Sequence, residues 1–423
     1  MARVTFGLVL AGIVFTGGAA FGQDNSAPSN AVYASDEDYP VMLRPRPEFD
    51  AKGIPFGGFR LFPTLALSGS YDDNVLRAQT GALSDYFFTE APAIRLQSQW
   101  AEDSLEFYGG ASNYNYLTLT QENLVDWNAG ADSRIVVGDG GSIFGAASAA
   151  QLHELLASPN TVGFQKSPNR YFQYHGEAGA TFQPNRFGLT AGGSADNYIY
   201  QDTALNGGGV LNNKDRSYDE YQGYGKAFYD FSPGYSAFLR GSYDTRQFTV
   251  HLDRTGVDRS SNGYRADGGI DLQISRLVSG EVYIGYLKQD FTAPLKNVSG
   301  LDYNAKLDWL ATPLLTVHLT GARTLTPTTL AGASIEDDES YGLAADYEVL
   351  RNLIFQGHAK FVDSSYPGLT RHDQSPDLGV GAKYLINEYL SADIAYDYTQ
   401  RGTNSPGLKF KDNTVTIGLN LQD

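Results

Sequence analysis

Ionisable and amide side chains recur at alternate positions in the second half of this chain. They include Asp267 and Asp271, the run Asp302, Asn304, Lys306 and Asp308, then His318, Asp346, Glu348, His358, Lys360, Lys383, Asp393 and Asp397. Carboxylates, imidazoles and ammonium groups can ligate metals, move protons or line a wet surface, and their spacing decides between these uses. The six His (His153, His175, His251, His318, His358 and His372) are scattered, with none at a helical metal spacing or in a zinc pattern. No Gly-x-Ser-x-Gly elbow and no phosphate-cradling glycine loop occurs. No catalytic, cofactor-binding or metal-binding residue is therefore assigned, and no cofactor is expected. An enzyme built from a Ser-His or Asp-His pair meeting across strands stays open as an alternative, because spacing in the chain does not show such pairs.

The alternation itself is the stronger signal. Near the C-terminus, Leu378, Val380, Ala382, Tyr384 and Ile386 share one parity, and Gly379, Gly381 and Lys383 the other. After Asn387-Glu388 the pattern restarts with Leu390, Ala392, Ile394, Tyr396 and Tyr398. It ends with Val415, Ile417, Leu419 and Leu421. A period of two with tight polar turns means antiparallel strands with one greasy face and one wet face. The wet face carries the ionisable residues named above. An ionised side chain on a lipid-facing strand surface costs ~2–4 kcal/mol, so these residues are expected to point away from lipid and to line a lumen.

The same unit fills residues 59–423. Paired segments are read at 86–100 with 104–117, 122–137 with 142–152, 170–182 with 186–201 and 217–231 with 234–248. Four more pairs follow: 263–275 with 279–290, 299–311 with 314–325, 339–350 with 353–364, and 374–386 with 389–400. Short Gly-, Pro-, Asn- and Asp-rich turns close each pair, and longer polar loops join one pair to the next. With single strands at 59–70 and 412–422, the count is about eighteen, with sixteen as the fallback. The fold class expected is all-β, a closed antiparallel transmembrane barrel. Composition agrees: 47 Gly, 28 Tyr, no Cys, and no sustained helical periodicity. At this strand number a polar interior is wide enough for an aqueous channel. A water-soluble sandwich would rarely need so many long hairpins.

Residues 1–22 read as a signal peptide: Arg3, a short apolar core from Phe6 to Phe15, then small residues. Residues 23–58 read as a Pro-rich periplasmic lead-in, largely disordered. The formal net charge of −17 argues against a nucleic-acid partner. Trp100, Trp127 and Trp309 are in phase with the apolar parity, as expected of an interfacial aromatic girdle. Outer-membrane lipids and lipopolysaccharide are the expected partners of such a surface. Three polar clusters are weighed as well. Asp72, Asp73 and Asn74 offer oxygens suited to Ca²⁺, but an acidic turn is the favoured reading. Glu336-Asp-Asp-Glu339, placed in an outer loop, reads as a solvated charge run, and Arg254, Arg259 and Arg265 as ordinary loop charge.

Two stretches carry a family resemblance. One runs from Arg44-Pro-Arg-Pro-Glu-Phe-Asp-Ala-Lys-Gly-Ile through Gly58-Phe-Arg-Leu-Phe-Pro-Thr-Leu to Tyr71-Asp-Asp-Asn-Val75. The other runs from Gly381-Ala-Lys-Tyr through Tyr396-Asp-Tyr-Thr-Gln-Arg401 to Val415-Thr-Ile-Gly-Leu-Asn-Leu421. Together they resemble the putative β-barrel porin type 2 family, which includes barrels of bacterial exopolysaccharide gene clusters. The resemblance implies a non-enzymatic barrel in the outer membrane of a Gram-negative bacterium. It would form a polar-lined channel for, or accessory to, exopolysaccharide export, with polysaccharide and periplasmic export proteins as partners. A general diffusion porin and a structural or adhesive barrel without transport are the alternatives.

Overall fold

The structure, a computed structural model, describes residues 39–154, 158–160, 165–272 and 277–423. Residues 1–22, expected to be a signal peptide, and residues 23–38 lie outside the described residues.

Eighteen long strands form one antiparallel ring. The first nine are β1 (Phe59–Asp72), β2 (Asp85–Ser98), β3 (Ser104–Tyr116), β4 (Leu124–Val137), β5 (Gly141–His153), β6 (Arg170–Phe182), β7 (Phe187–Tyr200), β8 (Tyr218–Ser232) and β9 (Tyr235–Phe248). The others are β10 (Ser261–Leu272), β11 (Val278–Phe291), β12 (Val298–Thr312), β13 (Leu315–Thr326), β14 (Glu336–Leu350), β15 (Leu353–Ser365), β16 (His372–Asn387), β17 (Leu390–Thr403) and β18 (Phe410–Gln422). Each strand pairs with its neighbours in the chain, and β18 closes on β1 in the register Tyr71↔Val415 and Leu67↔Leu419. Closure removes every long free edge, which a hydrocarbon solvent demands because each backbone N–H and C=O must be bonded inside the protein. No helix in the described residues is long and apolar enough to cross a membrane; the strands do the crossing.

The two faces of the ring separate by chemistry. Leu239, Ile284, Val380 and Ile417 are 61–71% exposed, and Phe238, Gly379 and Thr416, which immediately precede three of them, are buried. Exposed Leu, Ile, Val and aromatic side chains thus run along one face of strand after strand, the arrangement a lipid-facing belt requires. Trp100 and Trp309 lie on that exposed face, as their parity predicts. The opposite face is polar and packed with aromatics. Its glycines make room for rings from the next strand: a Cβ at Gly188 would collide with the ring of Phe228, and one at Gly192 with Tyr224.

Two expectations change. The lead-in is ordered from Tyr39 onward, with a 3₁₀ turn at Val41–Leu43 and a short strand, Ile54–Phe56, that doubles back on β1. Its polar backbone finds fixed partners in the barrel, so the Pro-rich composition does not leave residues 39–58 disordered. Glu336-Asp-Asp-Glu339 is not a loop: it opens β14 and pairs with β13 in the register Leu325↔Asp337. The connection after β3, which lacks turn chemistry in the sequence, is held by the Asp85 carboxylate, which accepts from the backbone N–H groups of Thr118 and Leu119 at 2.9 and 2.7 Å.

Candidate functional site

The polar face is a network of paired charges. Arg240 on β9 donates to Asp267 on β10 through Nε and Nη2, at 3.3 and 3.2 Å. Its guanidinium also lies over the ring of Tyr283, 4.2 Å from the centroid. Lys226 on β8 reaches Glu281 on β11 at 3.0 Å and Asp271 on β10 at 3.9 Å. Two strands, β9 and β10, separate Lys226 from Glu281, so side chains on this face converge, as they do on the concave side of a curved sheet. Asp302, fully buried, pairs with Arg265 at 3.2 Å.

The network continues on β12 to β18. His318 is clamped between two carboxylates, with Nδ1 2.6 Å from Asp308 and Nε2 3.0 Å from Asp346. His358 Nε2 sits 2.8 Å from Asp377 and 3.8 Å from Asp397. Asn420 donates to Asp393 at 2.7 Å, and Lys383 is Asp393's partner in register. Asn304 and Lys306 share the parity of Asp302 and Asp308 and face Tyr283 and Glu281 across the ladder. Lys360 lies in register with Asp377. Glu348 is the exception: besides Arg351 in its own hairpin turn at 3.9 Å, its two closest partners come from outside the ring.

Those partners are Arg44 and Arg46 of the lead-in, at 3.0 and 2.7 Å from the same Glu348 oxygen. Arg46 also donates to the carbonyls of Val41 and Arg351, and Arg44 to that of Pro313. The Val41 N–H donates to Thr316 Oγ1 at 2.9 Å. Burial pulls the Arg46 pKa below its ordinary value, although Glu348 acts in the opposite sense. The lead-in thereby seats against residues at the end of the ring where the short turns lie. The Pro alternation in Arg44-Pro-Arg-Pro leaves both guanidiniums on an extended, ladder-free backbone, the one sequence signal that this stretch could dock.

At the other end, Asn160 in the β5–β6 loop accepts through Oδ1 from Thr328 Oγ1 and Thr329 N, each at 2.8 Å. Thr328 belongs to the β13–β14 loop, which starts nearly opposite β5 and β6 in the ring. Asn160 is therefore held against the far side of the opening. Arg259, buried, donates to the carbonyls of Thr328, Leu330 and Ala333 and pairs with Asp253 at 2.5 Å. Below it Leu287, Val298, Leu325 and Ile335 form a small buried cluster.

The other sequence candidates disperse. Arg254 binds Asp215 at 2.6 Å, Arg259 the loop carbonyls, and Arg265 the polar face, so no common basic patch forms. Burial pushes Asp215 up, but the hydrogen bonds from Arg254 outweigh it and hold the carboxyl below its ordinary range. Asp72, Asp73 and Asp412 do bring carboxylate oxygens within 4.8 Å of one another. The positive charge among them is Arg77, 2.9 Å from Asp72 and 2.6 Å from Asp412. Sequence reasoning passed over Lys226, Arg240 and Glu281. Their strands alternate as clearly as the later ones, and the same parity count would have found them.

A closed ring of this size with an oily outer belt is a β-barrel of the outer membrane of a Gram-negative bacterium. The chain belongs to the putative beta-barrel porin 2 family, whose model matches residues 46–423. No curated protein sequence matches the chain. Among solved structures, the ferric enterobactin receptor of Pseudomonas aeruginosa is similar at 7% identity and TM-score 0.46, over 88% of this chain and 81% of that one. The siderophore receptor PirA of Acinetobacter baumannii has 7% identity and TM-score 0.44, over 86% and 80%. The copper transporter OprC has 9% identity and TM-score 0.47, over 88% and 82%.

Proposed function

We propose that this barrel provides a polar-lined path through the outer membrane for, or accessory to, exopolysaccharide export, and that no bond is made or broken in it. The observation that carries the reading is the polar face itself. Asp267, Asp271, Asp302, Asn304, Lys306, Asp308, His318, Asp346, Glu348, His358, Lys360, Lys383, Asp393 and Asp397 share it with tyrosines and with their cationic partners. A sugar chain needs ring faces to stack on and many hydroxyl partners at low individual strength. Tyr283, half-buried on this face beside Arg240, supplies an aromatic ring. The paired Asp, Asn, His and Arg groups supply the hydroxyl partners.

Both ends of the ring carry a cross-tie, the lead-in at one and the Asn160 contact with Thr328 and Thr329 at the other. That arrangement supports a gated path over a permanently open diffusion porin. It also suits a barrel that serves as a structural or adhesive element, and the same experiment separates the two. Conductance would be recorded in planar bilayers, and surface polysaccharide quantified in a deletion strain. Channel activity together with loss of polysaccharide supports export. Conductance with normal polysaccharide output and lost small-solute uptake indicates a diffusion porin. A silent barrel with normal output overturns the transport reading.

A further inference from the structure

The outward face of β16, β17 and β18 carries a feature that the transport reading does not use. Near the long-loop end, a groove of about 860 Å³ opens between the β1–β2 loop and these strands. Its polar lining includes His372, Gln374, Gln400, Asn404, Lys409 and Lys411. Gln374, Gln400 and Lys411 have the same parity as the exposed Leu378, Tyr396 and Val415, so the groove is on the outside of the ring. Lys409 and Lys411 are exposed, and among the described residues neither ammonium has a carboxylate within ion-pair reach. Two acids border the site: Asp363, 3.1 Å from His372 and 3.3 Å from Gln374, and Asp73, which accepts from the side-chain amide of Asn413 at 2.6 Å.

Chain register fixes what lies beneath. Below the rung Gln400↔Lys411 on the same face come Leu378, Tyr398 and Asn413, then Val380, Tyr396 and Val415, then Ala382, Ile394 and Ile417. Tyr398 donates to Gln400 and Tyr396 to Asn413, both at 2.7 Å. The order from the rim inward is thus cationic groove, tyrosine girdle, aliphatic strip. Tyrosines mark the headgroup level of a membrane, which sets the two ammonium groups at or just above the headgroups and the aliphatic strip among the acyl chains.

We propose that this groove binds the phosphorylated headgroup of an outer-leaflet glycolipid of the lipid A type, with Lys409 and Lys411 on a phosphate and the acyl chains along Val380, Ile394 and Ile417. Charge complementarity and continuity with the apolar belt select an anionic amphiphile. The glycolipid headgroup is favoured over a simple phospholipid because the groove is large and offers amide groups from Gln374, Gln400 and Asn404 to sugar hydroxyls. The site is independent of any transport activity.

The test uses the full mature barrel in detergent, with bound lipid read by native mass spectrometry. The probes are diphosphoryl lipid A, phosphatidylglycerol and phosphatidylcholine, offered to the parent and to a Lys409→Ala/Lys411→Ala variant. The parent is expected to retain lipid A over phosphatidylcholine, and the double variant to lose roughly tenfold or more of that retention, since each ammonium near a charged lipid surface contributes about 1 kcal/mol. Unchanged lipid A retention in a variant that keeps the heat-modifiable migration of a folded barrel overturns the proposal. So does retention of phosphatidylglycerol equal to that of lipid A, which would assign the phosphate to a phospholipid. Should the double variant fail to fold, Lys411→Gln alone carries the same comparison.

Discussion

Arg46 Nη2 lies 2.7 Å from Glu348 Oε2, although 302 positions separate the two residues in the chain. Both side chains are almost entirely buried, and Arg44 shares the same oxygen. One carboxylate on the polar face thus holds both guanidiniums of the lead-in against the ring. Glu348→Ala would leave two guanidiniums buried without a counter-charge, a change that costs about 3 kcal/mol or more when an ion pair is broken from one side. The lead-in is expected to release. Chymotrypsin cleavage after Leu43 and Phe49 should become rapid while the barrel stays resistant, and conductance should rise. Continued protection of both sites would show that the fastening lies elsewhere.

At the opposite end, Asn160 is the described residue that ties the β5–β6 loop to the β13–β14 loop. Asn160→Ala removes the acceptor for Thr328 Oγ1 and for the Thr329 N–H and hydroxyl. At ~1 kcal/mol per neutral hydrogen bond, the loss is large for a loop and small for the barrel. Single-channel recording should show more frequent or longer openings, with an unchanged unfolding midpoint. Identical gating in the variant would mean that this contact does not restrain the opening.

The oily belt is testable directly. Ile417 is 61% exposed on the outward face, two rungs below Asn413. Ile417→Lys should destabilise the folded barrel by ~2–4 kcal/mol if the site lies near the bilayer midplane and less if it lies nearer an interface. Denaturant unfolding in lipid vesicles measures this. No loss in lipid, against the same variant in detergent, would contradict a hydrocarbon environment for that face.

Glu122 supplies a pH dependence outside the spanning strands. It is 5% exposed in a 3₁₀ turn between β3 and β4. Burial raises its carboxyl to about 7, with His153 pulling the other way. A carboxyl whose folded pKa is raised binds its proton more tightly in the folded state. Its stabilising contribution is therefore complete below about 4.5, the ordinary value, and is lost as pH rises through about 7. The turn at 117–123 should exchange its amide hydrogens faster at pH 8 than at pH 5 beyond the intrinsic rate change, by an amount on the order of 2 kcal/mol of opening free energy. Glu122→Gln should flatten the profile. A parent profile already flat after intrinsic correction would refute the assignment.

The chain alone determined the strands, their number to within one pair, their hairpin pairing and the two chemically distinct faces. These follow from local quantities. Side chains of a strand alternate by geometry, so Leu378 and Gly379 must point to opposite sides whatever the rest of the protein does. Short turns such as Thr312-Pro313 leave two strands little choice of partner. The same locality explains why Asp302 and His318 could be placed on the wet face while their partners Arg265 and Asp346 could not be named. Which cation meets which carboxylate depends on how the ring curves and on the register carried across several strands. Curvature brings Lys226 to Glu281 over two intervening strands, a distance that no spacing rule encodes. The lead-in and the loop latch escaped for a related reason. Arg44, Arg46 and Asn160 have no periodic pattern of their own, and their positions are set only once a closed barrel exists to receive them: a buried Glu348 at one end and the Thr328-Thr329 turn at the other.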